Sequence, residues 1–312
     1  MELTAKRNSD RLLERLARKK VWSTRLLAGL FLLPSLLFLI LFIYWPLVQT
    51  FFLSFLNWNM VSPNKEWVGL ENYQTLLNMP EFWQGLRNTM IYVGILLVLN
   101  LVAPYFCAFA LLYGVNHFRE FYRSLLFLPS MLSMAVASMG FLWIYNPFDG
   151  PIGEIMRRMG SLPIDFLRSA DWVIPVITVI AAWRAFGQHF ILVLAGMISI
   201  PKELIEAAQL DGMGKGEIFF RIIFPLCSPT TLYVAMITVV LGLQAVFVPI
   251  QMLTNGGPNQ GSTNLIFFVY QTAFQFFHTG RAAACAIMIT LVFGILIALQ
   301  SIFLEKKVHY EN

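Results

Sequence analysis

Apolar side chains fill six long stretches of this sequence, and shorter polar segments separate them. A membrane-crossing helix needs about 20 mostly apolar residues, and inside a bilayer the backbone polar groups must pair within each segment. Helices are therefore predicted for all six stretches, which cover residues 26–47, 89–113, 124–145, 173–198, 230–253 and 282–304. The pattern predicts an all-α integral membrane protein with six transmembrane helices.

Composition agrees with this fold class. Of the 312 residues, 58% are hydrophobic and only 12% are charged, which is too apolar for an ordinary soluble domain. We expect three parts: a basic N-terminal segment over 1–25, the six-span domain over 26–304 and a short tail over 305–312. The polar loops between the spans are short, so no separate domain is expected outside the membrane.

Basic residues predict how the chain crosses the membrane. Eight lie before the first span, namely Lys6, Arg7, Arg11, Arg15, Arg18, Lys19, Lys20 and Arg25. The positive-inside rule keeps such a segment in the cytoplasm, and six spans return the C-terminus to the same side. The net charge of +5 therefore reflects membrane orientation and implies no nucleic-acid partner. The three cysteines are isolated, so neither a disulfide framework nor a metal site is expected.

The loop between the fourth and fifth spans predicts a short cytoplasmic helix. Pro201 suits a helix start, Glu203 suits the first turn, and Gly212 can adopt a positive φ that ends the helix. Ala207 and Ala208 would leave a surface that a partner could approach closely, and Glu206 would offer a charged anchor. On these residues alone, a plain connector explains the loop equally well.

The spacing in this loop resembles a family signature. Glu206-Ala207-Ala208 is followed after three residues by Gly212, then after nine by Ile222, and then by Phe224-Pro225. This arrangement resembles the signature loop of permease subunits of bacterial ATP-binding cassette importers, with Phe224 where the family usually has Leu. The resemblance implies that the loop, residues 200–225, forms a coupling helix that sits in a groove of a cytoplasmic ATPase. The coupling residues would be Glu206, Ala207, Ala208, Asp211 and Gly212.

The resemblance extends over nearly the whole chain. The segments that match are Gly69-Leu70-Glu71-Asn72-Tyr73, Asn88-Thr89, Leu128-Pro129, Leu253-Thr254 and Gly257-Pro258 followed by Thr263. They are similar to the carbohydrate-uptake branch, which includes the larger maltose permease subunit and the glycerol-3-phosphate permease. The resemblance implies a bacterial inner-membrane protein whose partners are a second permease subunit, two ATPase subunits and an extracytoplasmic solute-binding protein.

The chain lacks a nucleotide site of its own. A phosphate-binding loop needs Gly, four residues and then Gly-Lys-Ser or Gly-Lys-Thr, but Gly214-Lys215 is followed by Gly216 and residue 209 is Gln. We therefore expect no cofactor on this chain, with ATP and Mg on the partner ATPase. The scattered histidines form no catalytic or metal constellation, so an enzyme is not expected.

Polar residues inside the spans are candidates for the solute pathway. Arg184 lies near the middle of the fourth span, where a charged residue costs about 2.5 to 3.5 kcal/mol, and Gln188 follows one turn later. In the fifth span, Gln244 and Gln251 lie seven residues apart with Pro249 between them, which can kink the helix. These side chains could bind a solute. Contacts of Arg184 with carbonyls or a partner's acid, and glutamines that hold helices together, explain them about as well.

The sequence thus predicts the permease subunit of an ATP-driven importer for a sugar or related polyol. Arg184 is also compatible with an anionic solute such as glycerol-3-phosphate. An ion-coupled secondary transporter is the less favoured alternative, because the acidic residues lie almost wholly outside the spans. A membrane enzyme would need a clustered acid, metal or nucleophile site.

Overall fold

The computed structural model describes residue 27 and residues 29–115 and 117–305, so the predicted basic segment over 1–25 and most of the C-terminal tail lie outside the described residues. The helices are α1 (Gly29–Leu53), α2 (Glu71–Asn78), α3 (Pro80–Tyr113), α4 (Arg119–Phe127), α5 (Met134–Ile144), α6 (Pro151–Arg158), α7 (Val173–Ile198), α8 (Lys202–Leu210), α9 (Lys215–Ile218), α10 (Phe224–Leu226), α11 (Ser228–Thr254), α12 (Leu265–Gln275) and α13 (Thr279–Glu305). Two short strands, β1 (Leu56–Asn57) and β2 (Glu66–Trp67), pair antiparallel. The chain forms two units, which divide after Leu53.

The long apolar helices confirm the all-α membrane class. By length and composition α1, α3, α7 and α11 can each cross a membrane, and the number is five if the bent pair formed by α4 and α5 counts as one span. α12 and the first part of α13, Thr279–Ile295, are shorter apolar helices. The bounds of α7 coincide with the predicted fourth span, whereas α3 begins nine residues before the predicted second span. The number of six transmembrane helices stays a prediction.

The third predicted span, 124–145, is wrong as a single straight helix. α4 continues into a 3-10 turn over Leu128–Met131, and the axis then bends by 97° before α5. Pro129 cannot donate a backbone hydrogen bond and disfavours helical geometry before it. Leu132 is extended, and the Oγ of Ser133 accepts a hydrogen bond from the Val136 N–H (3.2 Å), which starts a new helix. Continuous hydropathy does not reveal such a break.

α7 lies at the centre of the unit that begins at Ser54. Its side chains pack against α3 on one side and α11 on another, and Ile177, Ile180 and Phe190 are fully buried. Gly187 permits the close approach of the bent segment, since a Cβ there would lie 2.8 Å from the Cα of Phe127. Small residues bring membrane helices together in this way. The result is a helix held on several sides, which fixes where its polar side chains lie.

A loop after α11 packs against the first turns of α3. The side-chain amide of Asn88 donates to the carbonyl oxygens of Gln260, Gly261 and Thr263 at 3.0–3.1 Å. The Tyr92 hydroxyl donates to the Ser262 carbonyl oxygen (3.0 Å). These bonds satisfy carbonyls of a loop that leaves helical geometry at Asn255, where φ is 46°. α11 thus ends at Thr254, one residue after the end of the predicted fifth span, 230–253.

Candidate functional site

The predicted short helix between the fourth and fifth apolar helices is confirmed as α8. It begins after Pro201 and ends with a Schellman motif, in which the Met213 N–H donates to the Ala208 carbonyl (3.0 Å) and the Gly212 N–H to the Gln209 carbonyl (3.1 Å). Gly212 has φ of 80°, which a residue with a Cβ adopts only at a cost. The glycine therefore sets the point at which the chain turns away from α8.

α8 has an inner and an outer face, and they divide the predicted coupling residues. Ile205 and Ala208 are buried in the core formed with α3 and α7. Glu206, Ala207, Asp211 and Gly212 are exposed. Ala208 therefore supports the helix from beneath and is not part of the exposed surface, which sequence reasoning had assigned to both alanines.

Leu210 is an exposed apolar residue that sequence reasoning missed. It is 89% exposed and lies four residues after Glu206, so both occupy the same side of the helix. The four-residue spacing between Glu206 and Leu210 was the feature of the sequence that could have placed Leu210 on this face. The outer face thus combines a large exposed apolar side chain with carboxylates.

The outer face of α8 is acidic. Glu203, Glu206 and Asp211 are exposed, and none forms an ion pair with any residue that the structure describes. Lys202 contributes the one positive charge of the helix. Such a surface complements a partner that presents basic and apolar side chains.

The loop after α8 is fixed to the end of α3. The Nζ of Lys215 donates to the carbonyl oxygen of Tyr113 (2.9 Å), and the Nη2 of Arg119 donates to that of Leu112 (3.1 Å). Both cations satisfy carbonyls of the last turn of α3, where the helix dipole is negative. The first residues of α9 and of α4 are therefore both bonded to the end of a membrane-crossing helix.

Three of the four predicted solute residues line one cavity. Arg184 and Gln188 on α7 meet Gln244 on α11 around a space of about 310 Å³. Further polar lining residues are Asn100, Thr238 and His189. Gln251 lies elsewhere, because its Nε2 donates to the Tyr270 hydroxyl (3.1 Å) and it does not line this cavity.

Arg184 is the cation of this cavity, and no carboxylate is among the lining residues. Its Nε donates to the carbonyl oxygen of Leu132 (3.2 Å), which the break between α4 and α5 exposes. In the part of the chain that the structure describes, its two Nη atoms have no hydrogen-bond partner. The side chain is therefore held by a carbonyl on one side and keeps donors for a further group.

Asn100 is a second residue that sequence reasoning missed. It is 2% exposed, and its Nδ2 donates to the Thr238 Oγ1 (3.3 Å). Its Oδ1 is buried without a partner among the described residues. Burying an amide side chain in an apolar helix costs free energy unless the amide is hydrogen-bonded. An asparagine within the second apolar stretch was therefore the signal in the sequence that could have identified this residue. Phe247, which follows Gln244 by three residues in α11, packs against Phe267 and Tyr270 and does not line the cavity.

The geometry defines a class of protein: an all-α membrane protein with a polar cavity among its apolar helices and a short exposed helix mounted at their ends. Residues 108–309 match the model of the family described as "binding-protein-dependent transport system inner membrane component". The chain belongs to this family. It is therefore a multi-pass inner-membrane subunit of an ATP-binding cassette importer, and it is a transport component rather than an enzyme.

Comparison with individual proteins supports the same family assignment. The chain is 29% identical over 290 residues to the sn-glycerol-3-phosphate transport system permease protein UgpA of Agrobacterium fabrum, covering 93% of this chain and 98% of that protein. It is 33% identical over 271 residues to the probable ABC transporter permease protein YurN of Bacillus subtilis, covering 86% and 92%. A solved bacterial alginate ABC transporter, in complex with an alginate pentasaccharide-bound periplasmic protein, matches with a TM-score of 0.77 at 20% identity, covering 90% and 95%. This last likeness shows the shared fold.

Proposed function

We propose that this chain forms half of the pathway through which a sugar or related polyol is imported. The observation that carries the proposal is the cavity that brings Arg184, Gln188 and Gln244 together. Amide and guanidinium groups donate and accept hydrogen bonds with hydroxyl groups, and a polyol offers several hydroxyls at once. Asn100 and Thr238 add an amide and a hydroxyl from two further positions in the same cavity.

The outer face of α8 would be the surface that an ATPase grips. Leu210 would insert into an apolar groove, with Glu206 and Asp211 facing basic side chains at its rim. Gly212 would hold the helix end in place, and the Lys215 bond to Tyr113 would transmit ATPase closure to α3. ATP and Mg would bind to the ATPase, and this chain would bind no cofactor. In this proposal α8 and both chain termini would lie in the cytoplasm.

The complete importer would contain a second permease subunit, two ATPase subunits and an extracytoplasmic solute-binding protein. The family description, which names a binding protein, supports the last of these partners. A second permease subunit would supply the other half of the pathway.

An anionic solute such as glycerol-3-phosphate is the second candidate. The Nη atoms of Arg184 that have no partner among the described residues favour it, since a guanidinium pairs strongly with phosphate. The relative from Agrobacterium fabrum, named for glycerol-3-phosphate transport, supports the same alternative.

The test is to purify the complex, place it in proteoliposomes and present candidate solutes through the solute-binding protein. A neutral sugar or polyol that stimulates ATP hydrolysis and is taken up supports the main proposal. Stimulation by glycerol-3-phosphate alone supports the anionic alternative. Uptake that continues without ATP and follows an ion gradient contradicts both.

A further inference from the structure

The segment over 146–172 connects the end of α5 to the start of α7. Both helices are apolar and belong to the membrane-embedded part of the chain. The segment therefore begins and ends at the boundary of the bilayer, whichever side of the membrane it faces. Its single helix, α6, packs through Ile152 against a cluster that includes Tyr145, next to the end of α5, and Val176, in the first turn of α7.

The turn before α6 is held rigidly. The Oδ1 of Asn146 accepts hydrogen bonds from the N–H groups of Phe148 (2.8 Å) and Asp149 (3.2 Å). The guanidinium of Arg157 donates to the carbonyl oxygens of Pro147 and Phe148, both at 2.8 Å. Phe148 is nevertheless 78% exposed, so a fixed turn presents an aromatic ring outward.

α6 itself is amphipathic. Ile152 packs against the core formed by α5 and α7. Ile155, Met159 and Leu162 follow at intervals of four and three residues and are 56%, 76% and 88% exposed. With 3.6 residues per turn, Ile155 and Met159 align in one stripe, and Leu162 follows beyond the turn at Gly160, where φ is 77°. The described residues leave this stripe without a partner.

Charged residues on the other side of α6 neutralise one another. Glu154 forms ion pairs with Arg157 (3.0 Å) and Arg158 (2.9 Å). Hydrogen bonds from Arg158 and Arg157 hold the pKa of the Glu154 carboxyl below its usual value, so this group is ionised at neutral pH. The whole segment carries four acidic and three basic residues. It therefore offers no excess of positive charge to anionic lipids.

We propose that Phe148, Ile155, Met159 and Leu162 insert into the interfacial layer of the lipid bilayer and anchor the segment over 146–172 there. An apolar stripe opposite a charged face is the arrangement by which a helix lies in the membrane surface. Because the charges are paired internally, the contact depends on buried apolar area and not on headgroup charge. The partner is the zwitterionic phospholipid surface.

The test uses the complete transporter complex in nanodiscs of phosphatidylcholine. Benzoylphenylalanine replaces Met159 in one variant and Glu154 in the matched control, five residues and about 140° away around α6. After illumination, mass spectrometry identifies what each probe has captured. The expected result is phospholipid adducts at position 159 in several-fold higher yield than at position 154.

The measurement is repeated with a third of the lipid replaced by phosphatidylglycerol and again at high salt. The expected yield at position 159 is unchanged in both. Capture of a protein subunit or of the solute-binding protein at position 159 overturns the proposal, as does an equal yield at the two positions or no lipid adduct at all. A yield that rises with phosphatidylglycerol contradicts the claim that headgroup charge is not involved.

Discussion

The Nε of Arg184 donates a hydrogen bond to the carbonyl oxygen of Leu132, 3.2 Å away. This bond joins the middle of α7 to the break between α4 and α5. The carbonyl has no helical partner because the chain is extended at Leu132. The same guanidinium faces the polar cavity, so Arg184 connects the bend to the proposed solute site.

Replacement of Arg184 tests the role of its free donors. Arg184→Ala is expected to reduce solute uptake about tenfold, since a hydrogen bond to a charged group contributes about 1.5–3 kcal/mol. Assembly with the ATPase subunits should persist. Uptake kinetics in proteoliposomes measure the effect, and unchanged kinetics would indicate that the side chain only supports the bend.

Two glutamines provide a matched pair. Gln244→Leu is expected to raise the KM for solute severalfold, because Gln244 lines the cavity. Gln251→Leu, which makes the same change in the same helix but outside the cavity, is expected to leave the KM unchanged. Equal effects of the two substitutions on KM would refute the location of the solute site.

Leu210 is expected to anchor the ATPase. Leu210→Ala should weaken ATPase binding by about 1–2 kcal/mol, since it removes apolar area that would be buried on docking. Co-purification of the subunits over a concentration series measures this. Leu77→Ala on α2, also an exposed leucine, is the control and should leave ATPase binding unchanged. Equal ATPase retention by both variants would exclude the outer face of α8.

The charge of the same face has its own test. Glu206→Lys is expected to leave membrane insertion intact and to reduce ATP-driven uptake severalfold, because the exposed carboxylate would no longer face basic side chains. Normal uptake by this variant would contradict the coupling role of Glu206.

Gly212 tests whether the end of α8 must be fixed. Gly212→Asp is expected to cost about 1 kcal/mol locally, because its φ of 80° is unfavourable for residues with a Cβ. Insertion should be normal while coupled ATP hydrolysis falls. Gly216→Ala is the control, since a Cβ at Gly216 meets nothing within 4 Å and its φ is not positive. If transporter complexes that contain either variant hydrolyse ATP at the parental rate, the geometry of the turn at Gly212 is unimportant for coupling.

Part of this structure could be predicted from sequence and part could not. Apolar length alone gives the bounds of α7, and the Pro201 to Gly212 spacing gives α8. The 97° bend between α4 and α5 was missed because hydropathy averages over both helices. The contact between Asn100 and Thr238 joins residues 138 positions apart, which no local pattern encodes.

In the candidate site, too, some features follow from the sequence and others only from the packing. Helical spacing places Arg184 and Gln188 on one face, but only packing shows that Gln244 reaches them and Gln251 does not. Residue type suggested that Ala207 and Ala208 are equivalent, whereas the orientation of α8 buries one and exposes the other. Tertiary packing thus decides which of several suitable residues belong to a site.

The most direct test of the central claim is solute uptake by the reconstituted complex with and without ATP. We expect solute delivered by the binding protein to enter only when ATP is hydrolysed, and Glu206→Lys to reduce both this uptake and the stimulated hydrolysis severalfold. Uptake that proceeds at the same rate without ATP, or that is unaffected in this variant, would contradict the central claim.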